Sequence, residues 1–402
     1  MKRIILTAVL TFIAAGAQAS GFRLSEQDAA ANGMGNSFVA VADNASAVWY
    51  NPAAMTALEG TNMSLGTVMV YPGMKHEFTG GSDSIAKKLH VPPYLYITRK
   101  MGPGWALGLG FNAPFGLSTE WADSSQTKLT ATYSDIKGFN YNLNAAFKLG
   151  ERLSFALGAD YVQLTAELSK MYTAPYSVSP LTYQTVTQTL DGDGTGTGWN
   201  AAAFYRHSDR LSFGASYRSP VKVKMDGKIT MPLAGVAAGS ALNDDASTEV
   251  TLPDTFQAGA AIKAGEKWLF SATADFTDWA TYHKLVIDYK NTSSTDHKHW
   301  KSVWAFRFGG EYKSSDKLKL RAGVFYDYNP VKDSYFETRV PDSNRTALSL
   351  GAGYAVSESL TVDLSYTYLR FSEREIDSAT NTLDGKYTSY AHLPALSFGY
   401  KF

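Results

Sequence analysis

From about residue 61 to the end, apolar and polar positions alternate, and the alternating runs are broken by polar turns. In "LSFGYKF" (396–402), Leu396, Phe398, Tyr400 and Phe402 fall on one side, and Ser397, Gly399 and Lys401 on the other. Successive strand side chains point to opposite faces, so this is the pattern of a strand with one apolar and one polar face. Runs of this type are read near 62–72, 91–100, 104–122, 135–149, 152–169, 193–207, 210–229, 249–264, 267–279, 300–313, 317–328, 344–356, 358–370 and 392–402. The count is fourteen, an even number.

The connections at one end of these runs repeat. "KLGERLSF" (148–155), "RHSDRLSF" (206–213), "KAGEKWLF" (263–270), "KSSDKLKL" (313–320) and "AVSESLTV" (355–362) each combine Gly or Ser with Asp or Glu before a new strand, and "RKMGPGWAL" (99–107) is a looser sixth. The opposite connections, near 73–90, 123–134, 171–192, 230–248, 280–299, 329–343 and 371–391, are long, polar and unlike one another. Short turns at one end and long loops at the other are the mark of an outer-membrane barrel. Many runs exceed the roughly 9–11 residues that cross a bilayer as a tilted strand, so the barrel is expected to project outward. The reading is an all-β chain, a 14-stranded antiparallel transmembrane β-barrel, with the apolar faces toward lipid.

Composition sharpens the picture at three points. Residues 1–19 carry Lys2 and Arg3, the apolar run "IILTAVLTFIAAG" and "AQA" (17–19), which together read as a cleaved signal peptide. Of 37 Lys and Arg, two lie in that segment, which leaves 35 against 37 Asp and Glu and gives no support to nucleic-acid binding. The chain has no cysteine but 24 Tyr, 21 Phe and 34 Gly, which fits a bacterial envelope protein stabilised without disulfides.

Residues 20–60 break the alternation. They are rich in Ala, Asn and Gly and include "VWYNPAAM" (48–55), a turn starter at Asn51-Pro52 inside an apolar collar. A compact segment ahead of a fourteen-strand barrel is expected to fill the lumen as a plug, leaving 61–402 for the barrel. The third run holds a second irregularity, "GFNAPFGLSTEW" (110–121). Pro114 lacks a ladder donor and Gly116 permits unusual backbone angles, so the wall is expected to kink there.

In order along the chain, "SGFRL" at the start of the mature chain, "NPA" (51–53), "WALGLGFNAPFGLSTEW" (105–121), "YRSPVKVKMDG" (217–227), "LPD" (252–254), "TDW" (277–279) and "RVPDSNR" (339–345) resemble the FadL family of outer-membrane long-chain fatty-acid transporters, which includes TodX-type aromatic-hydrocarbon channels. The resemblance implies a plugged, non-enzymatic, monomeric barrel without cofactor or metal. Its third-strand kink, at Pro114, Phe115 and Gly116, opens a side passage. The hatch turn of Asn51, Pro52 and Ala53 is expected to lie beside that kink as a stopper, with the Asn51 amide on backbone groups left unpaired there. The expected partners are outer-membrane lipid, lipopolysaccharide and, through the terminal Phe402, the barrel-assembly machinery.

The implied solute is a long-chain fatty acid. Burying its tail contributes about 0.8 kcal/mol per CH₂, and its carboxylate needs a cation once dry. The resemblance points to Lys170 in "LSKMY" and Lys298 in "DHKHW" as those cations, and to Phe22 as the aromatic closing the pocket from below. Uptake of monoaromatic or other neutral hydrocarbons is the first alternative, and a general porin the second. His297 and His299 lack a third metal ligand in sequence. "DGDGTGTG" (191–198) has the rhythm of a calcium loop but places Ala202 where the bidentate Glu belongs, and reads as a flexible turn into a strand. No G-x-S-x-G element is present.

Overall fold

The computed structural model describes residues 21–41, 43–290, 292–378 and 381–402; the signal segment 1–19 lies outside them. Fourteen antiparallel strands close into one barrel. The first is Thr61–Val68, continued by Tyr71–Phe78. The second to sixth are Pro93–Gly102, Trp105–Glu120, Tyr133–Leu149, Leu153–Val178 and Leu181–Arg206. The seventh is Leu211–Arg218 with Val221–Met231, and the eighth Leu242–Leu252 with Thr255–Ala264. The ninth to fourteenth are Trp268–Thr277, Val303–Lys313, Leu318–Asp327, Arg345–Ala355, Leu360–Phe371 and Asn381–Lys401. Pairing of Met63 with Tyr400 and Leu65 with Phe398 closes the ring, so neither terminal strand of the wall is left as an edge.

The repeated turns are built in two ways. Gly150 and Gly265 adopt φ of 67°, which suits a residue without Cβ. Where Ser replaces Gly, its hydroxyl accepts from the following backbone: Ser208, Ser315 and Ser357 Oγ take the N–H of Leu211, Leu318 and Leu360 at 3.2, 3.1 and 3.1 Å. The two sequence solutions give one tight reversal.

The alternation predicts the faces correctly. Tyr141, Leu143, Phe147, Leu157, Phe308, Leu350, Phe398 and Phe402 are exposed on the outside, whereas Asn140, Asn142, Asn144, Ser349 and Ser397 are buried inside. Among the described residues no helix is long and apolar enough to cross a membrane; the strands do so.

Several expected loops are instead sheet. The fifth and sixth strands pair from Leu153–Tyr205 to Val178–Leu181, with one bulge between Pro175 and Ser177, so 171–192 is a projecting hairpin. The strand expected from 193 begins at Leu181, so all of "DGDGTGTG" lies within the sixth strand. A Cβ on Gly194 would stand 2.0 Å from the Lys224 carbonyl oxygen, so glycine there admits the seventh strand. Lys284–Tyr289 and Thr292–His297 pair with each other, and the former pairs with the eighth strand through Ala246 and Tyr289. Val, Thr and Tyr support sheet without an apolar stripe, which is why alternation alone missed these segments.

Residues 21–58 fill the lumen. They carry short helices at Ala29–Gly33 and Ala47–Tyr50 and a 3₁₀ helix at Pro52–Ala57. Their partners lie around the whole ring: Asn32 donates to Ser365 Oγ, Ser37 to Ser271 Oγ, Asn51 to the Ala203 carbonyl, and Thr56 meets Ser154. Buried Met34, Phe38, Val48, Tyr50 and Met55 join inward wall residues in one apolar core.

Candidate functional site

The third strand pairs with the second only as far as Phe111, but with the fourth as far as Glu120. Between Asn112, opposite Asn140, and Phe115, opposite Gly138, it takes three steps against its partner's two. The extra residue falls at Ala113-Pro114, where proline has no N–H to offer the ladder. One extra residue reverses the facing of everything after it. Even positions such as Ala106 and Asn112 face inward before the bulge; Phe115 and Leu117 pack on the lumenal apolar cluster after it.

The edge that the second strand leaves free is taken by the start of the described chain. Leu24 N–H donates to the Pro114 carbonyl at 2.8 Å, and Gly116 N–H to the Phe22 carbonyl at 2.9 Å. Gln27 completes the closure. Its Nε2 donates to the carbonyls of Ala113 at 3.0 Å and Leu24 at 2.9 Å, and its Oε1 accepts from Asn112 at 3.1 Å. Arg23 reaches across to Asp275 and Thr277, both at 2.9 Å. Gly21, at φ 77°, sits so close to Trp279 that a Cβ would lie 2.8 Å from its ring.

This corrects the expected stopper. Asn51, Pro52 and Ala53 are buried, but the Asn51 amide donates to the carbonyls of Val39 at 2.8 Å and Ala203 at 3.0 Å, while its Oδ1 accepts from Ala53 N–H at 3.1 Å. Its work is to cap a 3₁₀ turn and tie it to the sixth strand. The apolar collar rests lower on the third strand, with Val48 beside Gly108 and Gly110. Arg218, from "YRSP", holds that collar: it ion-pairs with Asp160 at 2.7 Å, donates to the Trp49 carbonyl at 2.9 Å and lies 3.9 Å from the Trp49 ring centre.

Two cavities meet at Ile136, opposite Leu117 just past the bulge. One, of about 530 Å³, is lined by Leu24, Leu89, Phe115, Ile136, Phe139 and Phe371 among others. It takes in both a lumenal residue, Ile136, and a membrane-facing one, Phe139, so it runs through the wall. Its outer side is bridged by residues 85–92, where Ala86 N–H donates to Glu120 and Val70 pairs with His90. The second, of about 70 Å³, lies in the lumen among Leu164, Leu168, Leu190, Met225 and Tyr282. Ile136 lines both cavities, and Phe22 lines the inner one. The Phe22 ring stands 4.6 Å from Trp279, 5.9 Å from Tyr282 and Trp300, and 6.1 Å from Phe115. It forms the partition between chamber and wall.

The cations sort differently from expectation. Lys298 is 2 % exposed and donates to Asp296 at 2.8 Å and to Glu337. Burial opposes its charge, but Glu337, Tyr282 and Asp296 outweigh that and raise its pKa. It is a neutralised structural lysine, not a free head-binding one. Lys170 follows Leu164, Ala166 and Leu168 of the chamber wall at the same period of two. Arg339, which sequence reasoning left without a role, donates to the Tyr133 carbonyl, Ser134 Oγ and the Ser169 carbonyl, each at 3.4 Å. Burial pulls its guanidinium below the ordinary value, against Glu337 and Asp296. Among the described residues no carboxylate lies within ion-pair distance of Lys170 or Arg339. Burial also pushes the Tyr282 phenol up to about 12, so it stays protonated beside them.

The family model described as "Outer membrane protein transport protein (OMPP1/FadL/TodX)" matches residues 10–402. The chain belongs to this family. Members of the OMPP1/FadL/TodX family similar to it include Outer membrane protein P1 of Haemophilus influenzae, 27 % identical over 99 % of this chain and 98 % of that one. The Long-chain fatty acid transport protein of Salmonella typhi is 26 % identical over 99 % and 97 %. In fold, the chain is similar to a FadL homologue of Pseudomonas aeruginosa, with TM-score 0.87, 20 % identity and coverage of 95 % and 100 %. It is also similar to the toluene transporter TodX of P. putida, with TM-score 0.73, 16 % identity and coverage of 96 % and 99 %. The FadL-type barrel is thus an outer-membrane channel for hydrophobic compounds.

Proposed function

We propose that this barrel takes up long-chain fatty acids and releases them sideways through the bulge in the third strand. The observation that carries the reading is the apolar lumenal chamber of Leu164, Ala166 and Leu168, beyond which the same strand carries Lys170, with Arg339 bonded to the adjoining Ser169 carbonyl; among the described residues neither cation has an ion pair. An apolar tail fits the walls, and a desolvated carboxylate is stabilised by charge-assisted bonds to the two cations. Below the chamber, the cavity through the wall supplies an apolar way out once Phe22 and its neighbours move aside. The name of the Salmonella typhi relative, a long-chain fatty acid transport protein, supports this reading.

The aromatic box of Phe22, Trp279, Tyr282 and Trp300 favours a second reading, uptake of neutral aromatic hydrocarbons. A neutral solute has no use for paired cations, which separates the two. A general porin fits poorly, because residues 21–58 occupy the lumen.

The test is equilibrium binding of oleate and of toluene to purified wild type and to a Lys170→Met, Arg339→Met variant. Each charge-assisted bond is worth about 1.5–3 kcal/mol, so oleate affinity should fall by at least tenfold while toluene affinity holds. Equal oleate affinity in both proteins would sink the fatty-acid reading.

A further inference from the structure

The cavity through the wall has a charged outer lip. On the fourth strand Tyr133, Asp135, Lys137, Phe139 and Tyr141 share the membrane-facing side. Lys137 ion-pairs with Asp135 at 2.8 Å, and its side chain is 58 % exposed. Asp135 also accepts from the Tyr133 hydroxyl at 3.2 Å. Lys88 lies 5.7 Å from the Tyr133 ring centre and ion-pairs with Glu120. Asp135, Lys137 and His90 line the cavity. A cation on the outer face of a membrane barrel is costly unless something repays it, and the apolar residues further along this side show what the position ordinarily holds.

The inner end of the same cavity is different. Arg23 is held by Asp275, and Arg345 by Asp342 at 3.0 Å. Glu26 lines that end too. A carboxylate arriving there finds its cations engaged and another carboxylate facing it. Its tail can enter the bilayer at once, but an ionised head in a dry passage needs a partner at every stage. Lys137 is the next cation along the path, and its present partner is itself a carboxylate; on exchange the displaced Asp135 keeps the Tyr133 hydroxyl at the exposed lip.

Resting on the fatty-acid reading above, we propose that Lys137 is an exit-side headgroup site, which takes the carboxylate of the departing solute in place of Asp135 as the tail enters the membrane.

The experiment compares uptake of labelled oleate and of oleyl alcohol by cells carrying wild type, Lys137→Met or Lys137→Arg, per heat-modifiable barrel, with equilibrium oleate binding measured alongside. Lys137→Met should lower oleate uptake by roughly tenfold, the factor for one lost charge-assisted bond, and leave oleyl alcohol uptake and oleate binding unchanged. Lys137→Arg should retain oleate uptake. Unchanged oleate uptake in Lys137→Met, or equal loss for both solutes, overturns the lip site and leaves the chamber assignment standing. Failure of wild type to bind oleate overturns both.

Discussion

Replacing Phe22 with Ala removes the partition between the chamber and the cavity through the wall. The ring is 4 % exposed and touches four aromatic side chains. A buried Phe→Ala change costs about 3–5 kcal/mol. Gly21 is held separately by Asp342 and Arg345; the direct ties of residues 22–24 to the wall are two backbone hydrogen bonds to the third strand and the Arg23 contacts with Asp275 and Thr277. At about 1 kcal/mol for a neutral bond and 1.5–3 for a charged one, these total roughly 4–6 kcal/mol. The lost ring is therefore comparable to these direct ties, and the balance should move at least about a hundredfold toward a released segment. The wall itself loses no pairing, so the barrel should still form. Trypsin reports the release, because Arg23, whose side chain is 8 % exposed in the seated state, becomes cleavable. Mass spectrometry of the digested barrel should show a chain beginning at Leu24 far sooner in Phe22→Ala than in wild type. Equal protection of Arg23 in the two proteins would refute the claim that Phe22 holds the seal.

Three further outcomes are expected. Gly116→Val puts a branched side chain at about 3.0 Å from Leu24, so oleate uptake should drop while heat-modifiable gel migration stays normal. Gln27→Leu strips the amide from Ala113, Leu24 and Asn112 and should raise hydrogen exchange at Leu24 and Gly116, whereas Asn51→Ala should raise it near Ala53 and leave the bulge protected. Arg218→Leu leaves Asp160 buried without its cation, which typically costs about 3–5 kcal/mol; the barrel should lose its heat-resistant mobility at lower temperature, and Arg218→Leu with Asp160→Leu should recover part of that loss.

The barrel was legible because a two-sided strand writes its period into the chain, as at 396–402, and because the turns repeat at one end. The bulge was legible too, since Pro114 brings no N–H to a closed wall and must interrupt its ladder. What covers the bulge was not. Gln27 reaches it from 86 residues upstream, the backbone of Phe22 and Leu24 from farther still, and backbone bonds leave no trace in side-chain chemistry. Asn51, a recognisable turn residue, was therefore assigned a position that belongs to its less distinctive neighbours. Lys298 looked available because Glu337 is 39 residues away in sequence and meets it only in the fold. Arg339 lay in view within "RVPDSNR", but nothing local distinguishes a half-buried arginine without an ion pair from a solvated one.

The plug precedes the first strand, yet Asn32 bonds Ser365 and the Leu393 carbonyl, 333 and 361 residues later. Those acceptors lie on the last two strands, and the last one also closes the ring. The plug's seat is therefore incomplete until the final stretch of chain arrives, and closure of the wall and capture of the plug become one event. A ribosome releasing this chain a single strand early leaves Asn32, in the helix at Ala29–Gly33, without its Leu393 acceptor and the first strand with an open flank. Surveillance of such a product needs no knowledge of the solute: the exposed flank announces that the inside is unfinished.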